Sequence, residues 1–395
     1  MEDLICLLAD AGQEMAAGRL SSAAALYRKV VDRSPNHLDA QYLLGSLLAE
    51  LGQLDDAERH LTIAAGLMPE SPYVWNNLGN VCFLRDDEKG ALAAWEKALR
   101  FNPDLPEAWC NMGVIHHRHG RMEEAESCLR QATARKNIVS AWGHLASIAE
   151  KKGRVDEALA IYRCILNDFP EHPGSRFNLA RLTGAPMAQA PSEMIRTMFD
   201  GYAKRFDRHL LGELQYRTPD LMMQTIEQHL PGKKFHQVVD LGCGTGLMGV
   251  EIRSRAFRLV GVDLSPKMLQ TALARGNVYD CVVEAEVVDF LRGEQRFDLM
   301  LAADVLVYIG DLTAWFDAAR NASMPSGSLV FSTEDAGEEP SVDWVLRSTG
   351  RYAHSADYVR RCGEAAGWRL LGFDHVTLRM ESSQPVVGNI FLMER

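Results

Sequence analysis

His236-Gln237-Val238-Val239-Asp240-Leu241-Gly242-Cys243-Gly244-Thr245-Gly246 reads as a strand, a turn and the entry to a helix. Val238 and Val239 are β-branched and apolar, as a strand buried inside a parallel sheet requires. Asp240 ends the strand, and glycines at three alternate positions then build a turn with no side chains in the way. Glycine is needed where backbone takes a positive φ or lies directly against a ligand. Residues 247–255 are predicted to be the following helix, so the N–H groups of the loop would face whatever sits above the strand end.

Two ligands compete for this loop. Gly244-Thr245-Gly246-Leu247-Met248-Gly249 has the G-x-G-x-x-G form of a dinucleotide fingerprint, a weak signal by itself. Here, however, the glycine run starts behind Asp240 with Gly242 as an additional first member, giving the D-x-G-x-G-x-G of loops that take S-adenosylmethionine (SAM). Further on, Arg258-Leu-Val-Gly-Val-Asp263 is a second strand ending in an acid. A carboxylate there can accept from both hydroxyls of a ribose. Either piece alone could be a plain loop with an incidental Asp; the two in register argue against that.

Residues from about 192 to 395 resemble a class I SAM-dependent methyltransferase. The whole chain resembles a group of bacterial methyltransferases that carry tetratricopeptide (TPR) repeats. Asp240 to Gly246 and Gly261-Val-Asp-Leu-Ser265 carry most of the likeness, and 199–207, 303–308 and 351–358 carry the rest. The resemblance implies SAM as cofactor and S-adenosylhomocysteine (SAH) as product. Asp240, Gly242, Cys243, Gly244, Thr245 and Gly246 would then lie under the methionine part, with Asp263 on the ribose. Leu264 and Met268 would pack on adenine, and Glu286, followed by Val287, would accept from the adenine amino group. Glu284, two residues earlier, points the same way on a strand and leaves the register open by that step. Ala303 and Asp304 would flank the reacting methyl.

Composition sets limits. The 395 residues suffice for two or more domains. Hydrophobic residues at 47% and charged ones at 24% are ordinary for soluble domains. A net charge of −11 argues against a nucleic-acid partner, since phosphate binding needs a basic surface. The eight cysteines (Cys6, Cys82, Cys110, Cys128, Cys164, Cys243, Cys281 and Cys362) show no metal spacing, so reduced thiols in a cytoplasmic compartment and no metal site are expected. Met1-Glu-Asp opens acidic, unlike a signal peptide, and no apolar run reaches the ~20 residues of a spanning helix.

Pro35, Pro69 and Pro103 are spaced by thirty-four residues, the TPR period. In that frame Gly45, Gly79 and Gly113, with Ala146, fall where the first helix of each unit packs closely. Ala23, Ala57, Ala91, Ala125 and Ala158 fall at the small position of the second helix. Five units are predicted (4–37, 38–71, 72–105, 106–138, 139–172), with a capping helix from Pro173, giving an all-α solenoid over 1–183. Asn77, Asn111 and Asn178, with His144, share one repeat position on the expected concave face. In peptide-holding TPR proteins an asparagine there bonds peptide backbone, having a donor and an acceptor together; the alternative is an amide tolerated on a solvated face.

Thr183-Gly-Ala-Pro-Met-Ala-Gln-Ala-Pro191 is small and proline-bearing, so 184–191 is predicted to be the linker. Beyond it, Phe199, Tyr202 and Phe206 form a helical stripe whose spacing reads first as core; by the resemblance, Tyr202 contacts the methionine end. Strands are predicted at 236–240, 258–263, 281–288, 297–303, 327–332, 368–373 and 388–393. The last connection has no room for a helix, so the final pair should be an antiparallel hairpin. The result is a seven-stranded, doubly wound, Rossmann-like α/β domain over 192–395 with a C-terminal hairpin.

Methyl transfer to a group that holds its proton at neutral pH needs a base. His354, Tyr308 and His209 are the candidates, and a capping or surface role is the alternative for His354. No N/D-P-P-Y/F follows the fourth strand (Ala303-Asp304-Val305-Leu306), and Glu338-Glu339 is not the paired-glutamate loop of arginine methyltransferases. The reading is a SAM-dependent methyltransferase whose TPR array docks a protein or peptide that is, or carries, the acceptor. Its alternatives are a small-molecule enzyme whose repeats set location or oligomer state, and a scaffold that binds SAM without transfer.

Overall fold

The computed structural model describes residues 2–337, 342–381 and 383–395. Glu338 and Glu339 lie outside them. The chain divides into two compact units, one ending at Asp168 and the other beginning at Phe169.

The first unit is five antiparallel helix pairs: Glu2–Ala16 with Leu20–Arg33, Leu38–Glu50 with Leu54–Leu67, Pro72–Leu84 with Glu88–Phe101, Pro106–Arg118 with Met122–Arg135, and Val139–Lys151 with Val155–Asp168. The small residues of the repeat let the helices approach. Ala23, Ala57, Ala91, Ala125 and Ala158 are fully buried. A Cβ on Gly45 or Gly113 would lie 2.7 Å from the Cγ of Leu61 or Leu129, and one on Gly79 would lie 2.6 Å from the Trp95 ring.

The second unit is built on a nine-stranded sheet: β1 (Phe235–Leu241), β2 (Ala256–Asp263), β3 (Cys281–Glu284), β4 (Phe297–Ala302), β5 (Ser323–Asp335), β6 (Trp344–Leu346), β7 (Tyr352–His354), β8 (Arg369–Glu381) and β9 (Gln384–Glu394). β3, β2, β1, β4 and β5 run parallel in that order; β9 then pairs antiparallel with β5, and β8 antiparallel with β9. Apolar runs such as Val238-Val239 have no polar alternation because both faces are covered. Val239, Val260 and Met300 face the core that holds Trp315 and Phe316. Val238, Leu259 and Leu299 face the one that holds Met222 and Ile226.

The structure departs from the sequence reading in several places. Pairs β6 and β7 were not foreseen: three-residue strands lie below the length at which apolar periodicity is visible. They extend the sheet past the end of β4, with β7 parallel to the last residues of β5. β3 stops at Glu284 instead of running to 288, because Glu286 caps the short helix Val287–Leu291, accepting from the N–H of Val288 and Asp289. The helix Pro173–Thr183, expected to cap the repeats, falls in the second unit, where Phe177 packs with Ala190, Ile195, Leu346 and Tyr352. The stretch 184–191 is likewise packed rather than a free linker: Ala190 is buried and donates its N–H to the carbonyl of Tyr308.

Candidate cofactor and acceptor site

The carboxyl ends of β1, β2 and β4 open into a cavity of about 760 Å³ at the point where strand order reverses, the usual ligand position in such sheets. Gly242, Gly244 and Gly246 all take positive φ (+64°, +53° and +93°). A Cβ on Gly244 would have only the Phe206 ring near it, at 3.8 Å, and would project toward the cavity that both residues line.

Asp263 ties the second strand to this loop. One carboxylate oxygen accepts from Gly244 N–H at 2.9 Å and the other from Ser265 N–H at 2.8 Å. Burial raises its pKa, and those two N–H groups oppose the rise. Each oxygen keeps a lone pair for a further donor, which is what a ribose diol brings. Asp240 is 1% exposed, and burial pushes its carboxyl up to about 7, against the hydrogen bond from Tyr279. Oδ2 takes that bond at 2.6 Å and the backbone N–H of Gly249 also favours the charged form, while Oδ1 has no partner of hydrogen-bond geometry. A buried carboxylate oxygen without a donor is costly, and the ammonium of a methionine moiety would supply one. The residues therefore fit SAM, which when bound supplies a methyl already activated on a sulfonium.

A cover is clamped over the loop by the helix Ser192–Tyr202 and the turns after it. Asp200 accepts from Ser265 Oγ at 2.6 Å, Asp207 accepts from Thr245 Oγ1 at 2.5 Å, and Arg275 pairs with Asp207. Phe199, Tyr202 and Phe206, read from spacing as core, are only half-buried and line the cavity. Phe199 meets Tyr308 edge-on at 5.8 Å. The next turn, Arg208–Glu213, is a π-helix that brings His209 to the wall, hydrogen-bonded to Tyr202 Oη.

Of the residues singled out from sequence, Tyr202, Asp240, Gly242, Cys243, Gly244, Thr245, Asp263, Leu264, Glu286, Val287, Ala303, Asp304 and Tyr308 line this cavity. Gly246 does not; it starts the next helix and backs onto Tyr279 and Arg275. Met268 is buried behind Ser265, whose Oγ accepts its N–H. His354 is a correction. It is fully buried outside the cavity, and its Nε2 donates to the carbonyls of Ile309 and Gly310 at 2.8 and 3.1 Å. Burial lowers its pKa to about 4, so it holds the turn before Asp311 and has no proton to trade with the cavity. Burial also raises Tyr308 to about 12, a poor base at neutral pH.

The shared repeat position differs from expectation too. Asn77 Nδ2 donates to Ser46 Oγ at 2.9 Å, Asn111 Nδ2 to Asn80 Oδ1 at 2.9 Å, and the Nδ1 atoms of His144 and His117 meet at 3.3 Å. These side chains link one repeat to the one before. Asn178 belongs to the second unit and accepts from Arg181. Among the described residues, no group of three or more His, Cys, Asp or Glu is placed to hold a metal, and no helix is long and apolar enough to cross a membrane.

Residues that sequence reasoning missed are Tyr279, Arg275, Glu334, Arg379 and Glu381. Arg379 was hidden by a register shift in β8 between Thr377 and Arg379, which breaks the alternation that marks an inward side chain.

Comparison with known proteins finds repeats and a methyltransferase domain in separate parts of the chain. A methyltransferase-domain family model matches residues 213–372, a tetratricopeptide-repeat model matches 110–176, and the model of the cilia and flagella-associated protein 70 C-terminal domain matches 3–137. The chain is 26% identical over 173 residues to a malonyl-(acyl-carrier protein) O-methyltransferase of Salmonella typhimurium, covering 44% of this chain and 66% of that protein. It is 25% identical over 182 residues to a ubiquinone biosynthesis O-methyltransferase of Erwinia tasmaniensis, covering 43% and 74%. Among solved structures it is similar to the N-methyltransferase NodS from Bradyrhizobium japonicum in complex with SAH, at 17% identity and a TM-score of 0.36 over 45% of this chain and 86% of that one. The chain thus joins TPR repeats to a class I, SAM-type methyltransferase domain.

Proposed function

We propose that this protein transfers a methyl group from SAM to an acceptor that is, or is carried by, a protein or peptide held by the repeat unit. One observation carries the reading: Asp240, Gly242, Gly244 and Asp263 converge on one cavity, and a buried oxygen of Asp240 has no hydrogen-bond donor. The chain's part in the reaction is to bind, orient and exclude water. Alignment of acceptor and methyl can supply ~7–11 kcal/mol of the barrier.

The carrier version is favoured by the kind of relative the chain has, one of which is named for an acyl-carrier-bound acceptor. A small-molecule reading is supported by the cavity itself, whose size falls in the range of small-ligand sites. The test is capture of partners on the full-length protein, followed by labelled-methyl transfer from SAM into the captured material. Label in a captured protein or its attached group supports docking, and label only in free small molecules removes it. A Gly244→Val variant, in which a branched side chain enters the cavity, should lose both SAM binding and transfer while the repeats stay helical. Tight NAD binding and no SAM binding by calorimetry would restore the dinucleotide reading.

A further inference from the structure

On the β4 side of the cavity, charged side chains form a ladder of alternating sign. Asp304 leads it, in a left-handed backbone conformation (φ +56°). Ser332 Oγ accepts Asp304 N–H at 2.8 Å and donates to its Oδ1 at 2.9 Å, while Arg379 Nη1 donates to its Oδ2 at 3.0 Å. Arg379 pairs in turn with Glu334, which lies 2.8 Å from Arg351 Nε, and Arg351 pairs with Glu381. Side-chain exposure is 2% for Glu334 and 6% for Arg379, then 22% for Arg351 and 36% for Glu381. Both guanidiniums line the cavity, and Glu334 sits behind them.

We propose that Arg351 and Arg379 form an anion subsite for the acceptor, which carries a carboxylate, and that Glu381 occupies this subsite until the acceptor replaces it. The inference rests on the methyl-transfer reading of the cavity. Burying charges is unfavourable unless geometry and further hydrogen bonds offset the loss of water, and a purely structural ladder would gain nothing by facing an open cavity. Arginine's planar fork suits a carboxylate. Glu334 is fixed by both guanidiniums on Oε1, with Arg347 Nη1 3.7 Å from Oε2, and it aims Arg351 and Arg379. Glu381, at the end of β8, is the most exposed rung and the one an incoming carboxylate displaces without unmaking the rest. With Arg347 counted, three carboxylates stand against three guanidiniums, so net charge alone would favour neither an anion nor a cation, and the test separates that outcome from a shaped anion subsite.

Full-length protein saturated with SAH is titrated calorimetrically with glutarate, glutaramide and pentane-1,5-diamine as probes. SAH binding is read first; its absence overturns the cofactor assignment and this subsite with it. With SAH bound, glutarate should bind in preference to both other probes. Arg351→Gln, at the exposed end of the ladder, should weaken glutarate at least tenfold with SAH affinity unchanged. Glu381→Gln should tighten glutarate several-fold, because it frees Arg351, whereas a merely structural ladder would make both substitutions act in the same direction. Preference for the diamine or the diamide, no glutarate binding, or weaker glutarate binding in Glu381→Gln each overturns the proposal.

Discussion

Asp263 and Asp240 show how much a single carboxylate can do from one position. Asp263 holds the glycine loop through Gly244 N–H and still faces the cavity. Replacement by Ala removes acceptors for the loop and for the ribose together. SAM affinity measured by calorimetry should fall by roughly tenfold to a hundredfold, the equivalent of about 1.5–3 kcal/mol for charge-assisted bonds. Asp240 makes a pH prediction. Its folded pKa, about 7, is raised above the ordinary 3.8, so in acid both folded and unfolded forms are protonated and nothing is lost. As pH climbs between these values the unfolded carboxyl releases its proton and the folded one keeps it, so stability falls through that window and levels off above it. Asp240→Asn lacks this decline. The stability difference between wild type and variant, from denaturant unfolding of the SAM-free protein at pH 4 and pH 8, should change by a few kcal/mol in the variant's favour toward the higher pH, on the order of 1.4 kcal/mol per pKa unit. An unchanged difference would mean that Asp240 is not held protonated.

Helix pairing in the repeats and the ends of the strands depend on local fits that short substitutions can break. Gly79 faces Trp95, which is fully buried and fixed by hydrogen bonds from Nε1 to Asn76 O and Asn80 Oδ1. A methyl there cannot be relieved by a simple ring shift, so Gly79→Ala should cost about 1–3 kcal/mol by overpacking, read as loss of helical signal at lower denaturant. The gain in helix propensity from Gly to Ala, about 1 kcal/mol, works against this and should leave the sign unchanged. At the sheet, β7 places His354 beneath the turn at 309–310 and Tyr352 against the packed segment at 187–190. A motif that looked like an acceptor-facing histidine is therefore a brace. What the same motif does bring to the cavity is Arg351, three residues earlier and just ahead of β7.

For the whole chain, the cofactor should act on one unit. A ligand that binds only the native state stabilises it by about 2.7 kcal/mol at a hundred times its dissociation constant. SAM at that excess should raise the unfolding temperature of the methyltransferase unit, seen in its near-ultraviolet signal, while the helical transition of the repeats stays within a degree. A shift of both transitions together would show that the units unfold as one. Sequence alone determined the two architectures, because each is written as local periodicity: Pro35, Pro69 and Pro103 mark the repeat, and Val238-Val239 with Gly242, Gly244 and Gly246 mark a buried strand and its loop. The residues it proposed for the cofactor were within its reach because Asp240, Gly242, Gly244 and Asp263 lie within a few residues of strand ends, and their place on the cavity wall follows from the strand itself. The charged ladder proposed to receive the acceptor was largely beyond its reach. Asp304 was legible from its place after β4, but Glu334, Arg351, Arg379 and Glu381 come from β5, the β6–β7 turn and a strand with a shifted register, and ion pairs across such separations leave no period in the chain. Burial, too, is a property of packing, and it alone turned His354 from a candidate base into a neutral strut.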